Sequence, residues 1–209
     1  MLMTAAEYRE SLRRYQPRVF INGRQVDSVA DEPLLAPGIA AVGVTYDFAC
    51  NPGHAALLTA TQGTSGKQVN RMLHINQSAT DLLHKLEAVR LVCAESGCAQ
   101  RYLSQDGLNA LFQSTQLTDA NHGTDYHPRF LDYLHDVQAR DLTLGVAMTD
   151  AKGDRSLRPG QQENPDTYVH IVERRADGIV ISGTKAIVTG APYMHEFLVM
   201  PCRTHTPED

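Results

Sequence analysis

The chain has 209 residues, 42% of them hydrophobic, 21% charged and 6% aromatic, with a formal net charge of -5. That is enough chain for one domain or two small ones with a real core, in the composition of an ordinary globular protein. A net negative charge without a Lys/Arg stripe excludes a general polyanion binder, so no nucleic-acid partner is expected.

Thr4-Ala-Ala-Glu7 has the capping-box pattern, and it predicts a helix to about Tyr15 that stops before Pro17. Val19–Val26 reads as a hairpin around Asn22-Gly23, a dipeptide suited to a type I′ turn. Pro33 and Pro37 predict an irregular segment, followed by short helices across Val42–Ala49 and Pro52–Thr61. Gly63-Thr-Ser-Gly-Lys67 has two residues between its glycines where a phosphate loop needs four, so it reads as a flexible loop. Ser78-Ala-Thr-Asp81 caps a long helix carrying Leu82, Leu83, Leu86, Val89, Leu91 and Val92, with Gly97 kinking or interrupting it near Cys98. Helical spacing resumes through Tyr102, Leu108 and Phe112. A further helix starts at His127-Pro128, with Phe130, Leu131, Leu134 and Val137 on one face.

After Asp141 the period changes. Thr167–Glu173, Ile179–Ser182, Ala186–Thr189 and Phe197–Met200 read as strands punctuated by Gly178, Gly183 and Pro192. Lys152-Gly-Asp-Arg155 reads as an exposed turn in which Gly153 allows a positive φ and the charges pair with one another, the alternative being that they meet a cofactor or CoA phosphate. The sequence therefore predicts an α+β protein, with a mainly helical domain over 1–140 and a partial β-domain over 141–209. The last predicted strand leaves a sheet edge open close to Asp209.

The cysteines, Cys50, Cys93, Cys98 and Cys202, have neither disulfide-framework spacing nor a C-x-x-C pair. The nine histidines are scattered. His122 and His127 read as loop residues without a metal-ligand spacing, and no metal site is predicted. No run approaches the ~18–20 apolar residues that cross a bilayer, and the charged first dozen residues do not read as a signal peptide. No membrane partner is expected, and the chain reads as cytoplasmic with reduced thiols.

Met1-Leu-Met-Thr-Ala, Cys98-Ala-Gln-Arg101, Asp106–Phe112, Gly145–Arg155 and Gly183-Thr-Lys-Ala186 occur in one colinear order. In these segments the chain resembles the N-terminal part of the 4-hydroxyphenylacetate 3-monooxygenase and 4-hydroxybutyryl-CoA dehydratase family, most closely the dehydratase branch. The resemblance implies a fold similar to the acyl-CoA dehydrogenases: a helical domain, a middle β-barrel only begun here, and a C-terminal helical bundle absent from this chain. It implies FAD as cofactor and a homotetramer, or a partner chain that supplies the bundle. The 209 residues are then a fragment, a split subunit or a decayed reading frame.

The same resemblance assigns Met148 and Thr149 to the flavin ring, with Lys185 and Thr189 close to it. Read from the residues alone, Met148-Thr149 is an ordinary buried strand end. The dehydratases hold a four-iron cluster with two cysteines four residues apart. Here Cys98 is kept, but Tyr102 stands at the second position. A phenol replaces a thiolate poorly, so a [4Fe-4S] cluster is not expected, and Cys98 is a metal ligand only if one is present. Cys98 otherwise reads as a buried small hydrophobe. Tyr102 points to the monooxygenase branch, which carries an arginine and a tyrosine four apart for a phenolic substrate; only the tyrosine is kept. Tyr102 is thus the catalytic candidate, with Arg101 as a neighbouring charge that also reads as a surface arginine.

The implied activity is flavin- and oxygen-dependent hydroxylation of an aromatic ring, with reduced flavin from a separate reductase. The enzyme alternative is a dehydratase or isomerase acting on an acyl-CoA, and the non-enzyme alternative is a subunit that has lost its chemistry.

Overall fold

The computed structural model describes residues 2–206 of the chain. The chain folds into two compact units: one of Met1–Gly145 with Gly190–Glu196, the other of Val146–Thr189 with Phe197–Asp209.

The first unit is helical. Helix α1 (Ala5–Leu12) starts at the predicted capping box, with the Thr4 hydroxyl accepting from the Glu7 N–H and the Glu7 carboxylate accepting from the Thr4 N–H. A hairpin of β1 (Phe20–Ile21) and β2 (Arg24–Gln25) turns through Asn22 (φ 53°) and Gly23 (φ 78°), as the type I′ reading requires. Helix α2 (Ala36–Cys50) is longer than predicted. Pro37 sits in its first turn, where the missing N–H costs nothing, so this proline opens a helix rather than preventing one. The second short helix shrinks to α3 (Ala55–Leu58), and the chain passes into β3 (Thr59–Thr61), which pairs with β4 (Gln68–Asn70). The loop predicted at Gly63–Lys67 is the turn of that hairpin.

Helix α4 (Ala79–Ser96) is capped by the Ser78 hydroxyl and stops at Gly97, whose left-handed φ of 70° ends the helix rather than kinking it. Helices α5 (Arg101–His122) and α6 (Tyr126–Arg140) complete the unit. His122 and His127 therefore lie on helices, not in a loop. The His127 ring packs 4.9 Å from Phe112, and its Nδ1 lies 3.0 Å from the Thr115 hydroxyl.

The core of this unit forms around Tyr8, Ile39, Val42 and Tyr46, with a second cluster around Leu58, Met72, Ala88 and Val92. A polar column threads it. The Tyr8 and Tyr46 rings stack at 4.9 Å, and the Arg101 guanidinium lies 4.1 Å from the Tyr46 ring centroid. Asp141, in a left-handed conformation (φ 50°), accepts from Arg101 at 2.8 Å and from the Met3 N–H at 3.1 Å. Arg101 also donates to the Leu142 carbonyl and the Thr45 hydroxyl, while the Tyr46 hydroxyl donates to the Asp141 carbonyl. Burial pushes the Tyr8 and Tyr46 phenols above their ordinary pKa. Near the column, the His195 Nδ1 accepts from the Thr143 N–H at 2.9 Å, so its proton is on Nε2, 2.7 Å from the Ser11 hydroxyl. Burial, with Arg101 and Arg140 nearby, lowers the His195 pKa to about 4.

Strand β5 (Leu144–Ala147) pairs with β8 (Glu196–Val199), and within the second unit β6 (His170–Arg175) forms an antiparallel hairpin with β7 (Gly178–Ser182). These are two-stranded sheets; no closed barrel forms among the described residues. The strand predicted at Ala186–Thr189 is absent, since Ile187 takes φ 56° and only Lys185 makes a bridge, to Asp150. Gly153 does not take a positive φ, and the Asp154 carboxylate accepts from the Ser156 amide and hydroxyl rather than pairing with Lys152 or Arg155.

Candidate functional site

Within the second unit, Asp150 lies opposite Lys185. The Thr149 carbonyl accepts from the Ala186 N–H at 2.8 Å and the Ala151 N–H donates to the Thr184 carbonyl at 3.1 Å, which makes Asp150 and Lys185 a non-hydrogen-bonded antiparallel pair. Side chains in such a pair stand close together, and the Lys185 ammonium reaches the Asp150 carboxylate at 2.5 Å. It also donates to the Met148 carbonyl at 2.8 Å and the Met200 carbonyl at 2.6 Å. The second Asp150 oxygen accepts from the Cys202 N–H at 3.2 Å. Gly183 allows this geometry: its φ of 131° is closed to other residues, and a Cβ there would collide with the Tyr168–Val169 backbone.

The carbonyls of Met148 and Thr149 are thus tied to the Lys185–Ala186 segment while their side chains face outward. Met148 is 51% exposed, against the buried strand end that the residues alone suggested. Thr149 is exposed as well, and none of the described hydrogen bonds engages its hydroxyl. An exposed apolar side chain beside an unengaged hydroxyl fits the polar and flat surfaces of a flavin ring. Thr189 is also exposed, whereas Lys185 is largely covered. The structure therefore brings Met148, Thr149 and Lys185 together. The residue missed in the sequence is Asp150, which stands in the Gly145–Arg155 stretch with nothing to distinguish it from a turn acid.

An open cleft of about 840 Å³ in this unit is lined by Ile171, Ile179, Ile181, Met200, Arg203 and His205. It does not include the Met148–Thr149 strand end.

The other candidates are in the first unit. Arg101 is not a surface arginine: it is 1% exposed, and its charge is committed to Asp141. Tyr102, its neighbour on α5, points the other way. It is 36% exposed, with the Lys85 ammonium 5.9 Å from its ring centroid. Cys98 is half-buried in the turn between the Gly97 cap and α5, so it and Tyr102 do not share a helical face. Cys93 is exposed on α4. Among the described residues no group of three or more His, Cys, Asp or Glu side chains is placed to hold a metal ion, and no helix is long and apolar enough to cross a membrane.

The chain is 41% identical, over its whole length, to the 4-hydroxybutyryl-CoA dehydratase/vinylacetyl-CoA-Δ-isomerase of Clostridium aminobutyricum, and spans 43% of that protein. It is 25% identical over 96% of its length to the 4-hydroxyphenylacetate 3-monooxygenase oxygenase component of Thermus thermophilus, of which it spans 41%. A solved oxygen-tolerant 4-hydroxybutyryl-CoA dehydratase from N. maritimus superimposes with a TM-score of 0.91 at 39% identity, over 99% of this chain and 41% of that one. The chain thus spans less than half the length of these relatives. The family described as "4-hydroxyphenylacetate 3-hydroxylase N terminal" matches residues 4–209, and the chain belongs to that family.

Proposed function

We propose that this chain is the N-terminal part of an FAD-dependent oxidoreductase. It combines a mainly helical part over 1–140 with a partial middle β-domain over 141–209, the start of an acyl-CoA dehydrogenase-like barrel. One observation carries the reading: the Met148–Thr149 strand end offers an exposed side chain and an unengaged hydroxyl on a backbone fixed from behind. Related oxygenase structures are complexed with FAD. When bound, FAD supplies the redox chemistry, and the protein supplies orientation and water exclusion. Met148 and Thr149 contact the ring and Thr189 approaches it. Tyr102 holds a phenolic substrate, and a separate reductase delivers reduced flavin. The assembly is a homo-oligomer or a complex with a chain carrying the C-terminal bundle.

A second reading, dehydration or isomerisation of an acyl-CoA, is supported by the 41% identity to the Clostridium enzyme. Tyr102, four residues after Cys98, argues against it, because a phenol is a poor cluster ligand.

The test is a visible spectrum with iron and acid-labile sulfide assays on anaerobically purified protein from the uncut gene. Flavin bands without iron support the oxygenase reading. Iron and sulfide near about four per chain, as a four-iron cluster demands, would establish the dehydratase reading and make Cys98 a ligand. Protein with neither signal would sink both.

A further inference from the structure

We propose that Lys185 is a positioning residue for the Met148–Thr149 strand end rather than a flavin ligand, and that Asp150 is its obligatory partner. The inference rests on the FAD reading above. An ammonium has three N–H donors and no acceptor. Here it donates to the carbonyls of Met148 and Met200, and its charge is paired with the Asp150 carboxylate at 2.5 Å. Turning toward a flavin would require giving up a carbonyl bond or that ion pair. Both members of the pair are covered, with side-chain exposures of 10% for Lys185 and 2% for Asp150, so removing either leaves a charge without its counterpart.

The geometry also says what the clamp controls. Met148 is the last residue before the exposed Thr149, and Met200 directly follows β8. The Met200 N–H donates to the Ala147 carbonyl at 3.1 Å, so this one ammonium bridges the ends of two adjacent segments. It fixes the orientation of the Met148–Thr149 peptide, and with it the direction in which the Thr149 hydroxyl points. Asp150 holds the ammonium from the side and is itself held by the Cys202 N–H. Neither residue needs to touch a ligand to decide how one binds.

The experiment compares wild type with Lys185→Met, Lys185→Arg and Asp150→Asn by two readouts. The first is amide hydrogen exchange of the FAD-free chain over residues 144–151, with 126–140 as internal reference. The second is FAD titration, followed by affinity and by the shift of the flavin absorption bands. Lys185→Met should speed exchange over 144–151 at least tenfold and leave 126–140 unchanged. It should weaken FAD binding by a similar factor and change the band shift. Asp150→Asn should do the same, and Lys185→Arg should recover part of both. Weakened FAD binding with unchanged exchange would overturn the proposal and make Lys185 a direct ligand; exchange unchanged in both Lys185→Met and Asp150→Asn would overturn it outright. A wild-type chain that takes up no FAD would remove the cofactor reading for this chain, and the exchange comparison would still decide the clamp.

Discussion

Arg101 is a buried cation whose partners are distributed over sequence: Thr45, Tyr46, Asp141 and the Leu142 carbonyl. Removing one side of a buried pair leaves the other charge uncompensated, at a cost of about 3–5 kcal/mol. Arg101→Met should lower the unfolding free energy by that amount in urea titrations, and Arg101→Lys should not restore it, since a single ammonium cannot reproduce the guanidinium's fork. A loss under about 1 kcal/mol would mean that Arg101 is not structural. His195 gives a pH signature. Its folded pKa of about 4 lies below that of a free imidazole, so the unfolded chain binds more protons between pH 4 and about 6.5. The contribution is complete above about pH 6.5 and falls by about 1.4 kcal/mol per pH unit toward pH 4. Urea midpoints from pH 7 to 5 should show this slope in wild type and lack it in His195→Gln. Neither residue could be recognised beforehand, because Asp141 and Thr143 lie forty or more positions away and no local pattern links them to Arg101 or His195.

Elements whose signal is local were legible. The α1 capping box, the Ser78 cap and the Asn22-Gly23 turn place their own partners within three residues, so a single sequence contains the whole interaction. Where an element's fate depends on what it packs against, the reading failed. Pro37 looked like a breaker but sits in the first turn of α2, and Ala186–Thr189 had strand composition but a backbone bent at Ile187. Loss of the α1 cap should be measurable on its own. Thr4→Ala should cost about 1 kcal/mol of stability, read from a urea midpoint. A change of only a few tenths would indicate that the Ala5 N–H bond to the Asp47 carboxylate, at 2.8 Å, suffices to hold the first turn.

At the scale of the molecule, both described core clusters lie in the helical unit, whereas β6 is exposed along most of its length and β7 along much of it. Amides should therefore exchange sooner over 170–182 than over 126–140, since opening free energy follows buried apolar contact. Equal protection in the two segments would show that the hairpin is covered in solution. The site was legible only in part for the same reason. The resemblance located Met148 and Thr149, but their outward orientation depends on Lys185 and Asp150, which alternation alone cannot pair. Leu82, Leu83 and Leu86, which recur near the helical period, are all at least half exposed on α4.

Ile187 is 86% exposed and held at φ 56°. A β-branched side chain in that conformation costs on the order of 1–3 kcal/mol, and at that exposure it recovers little by burial. Glycine would serve the backbone better, so Ile187→Gly should raise the thermal midpoint; an unchanged or lower midpoint would refute the strain. Folding stability alone gives no reason to keep an isoleucine there. It lies two residues from both Lys185 and Thr189, so whatever docks there meets an apolar group held out at the expense of the protein's own durability.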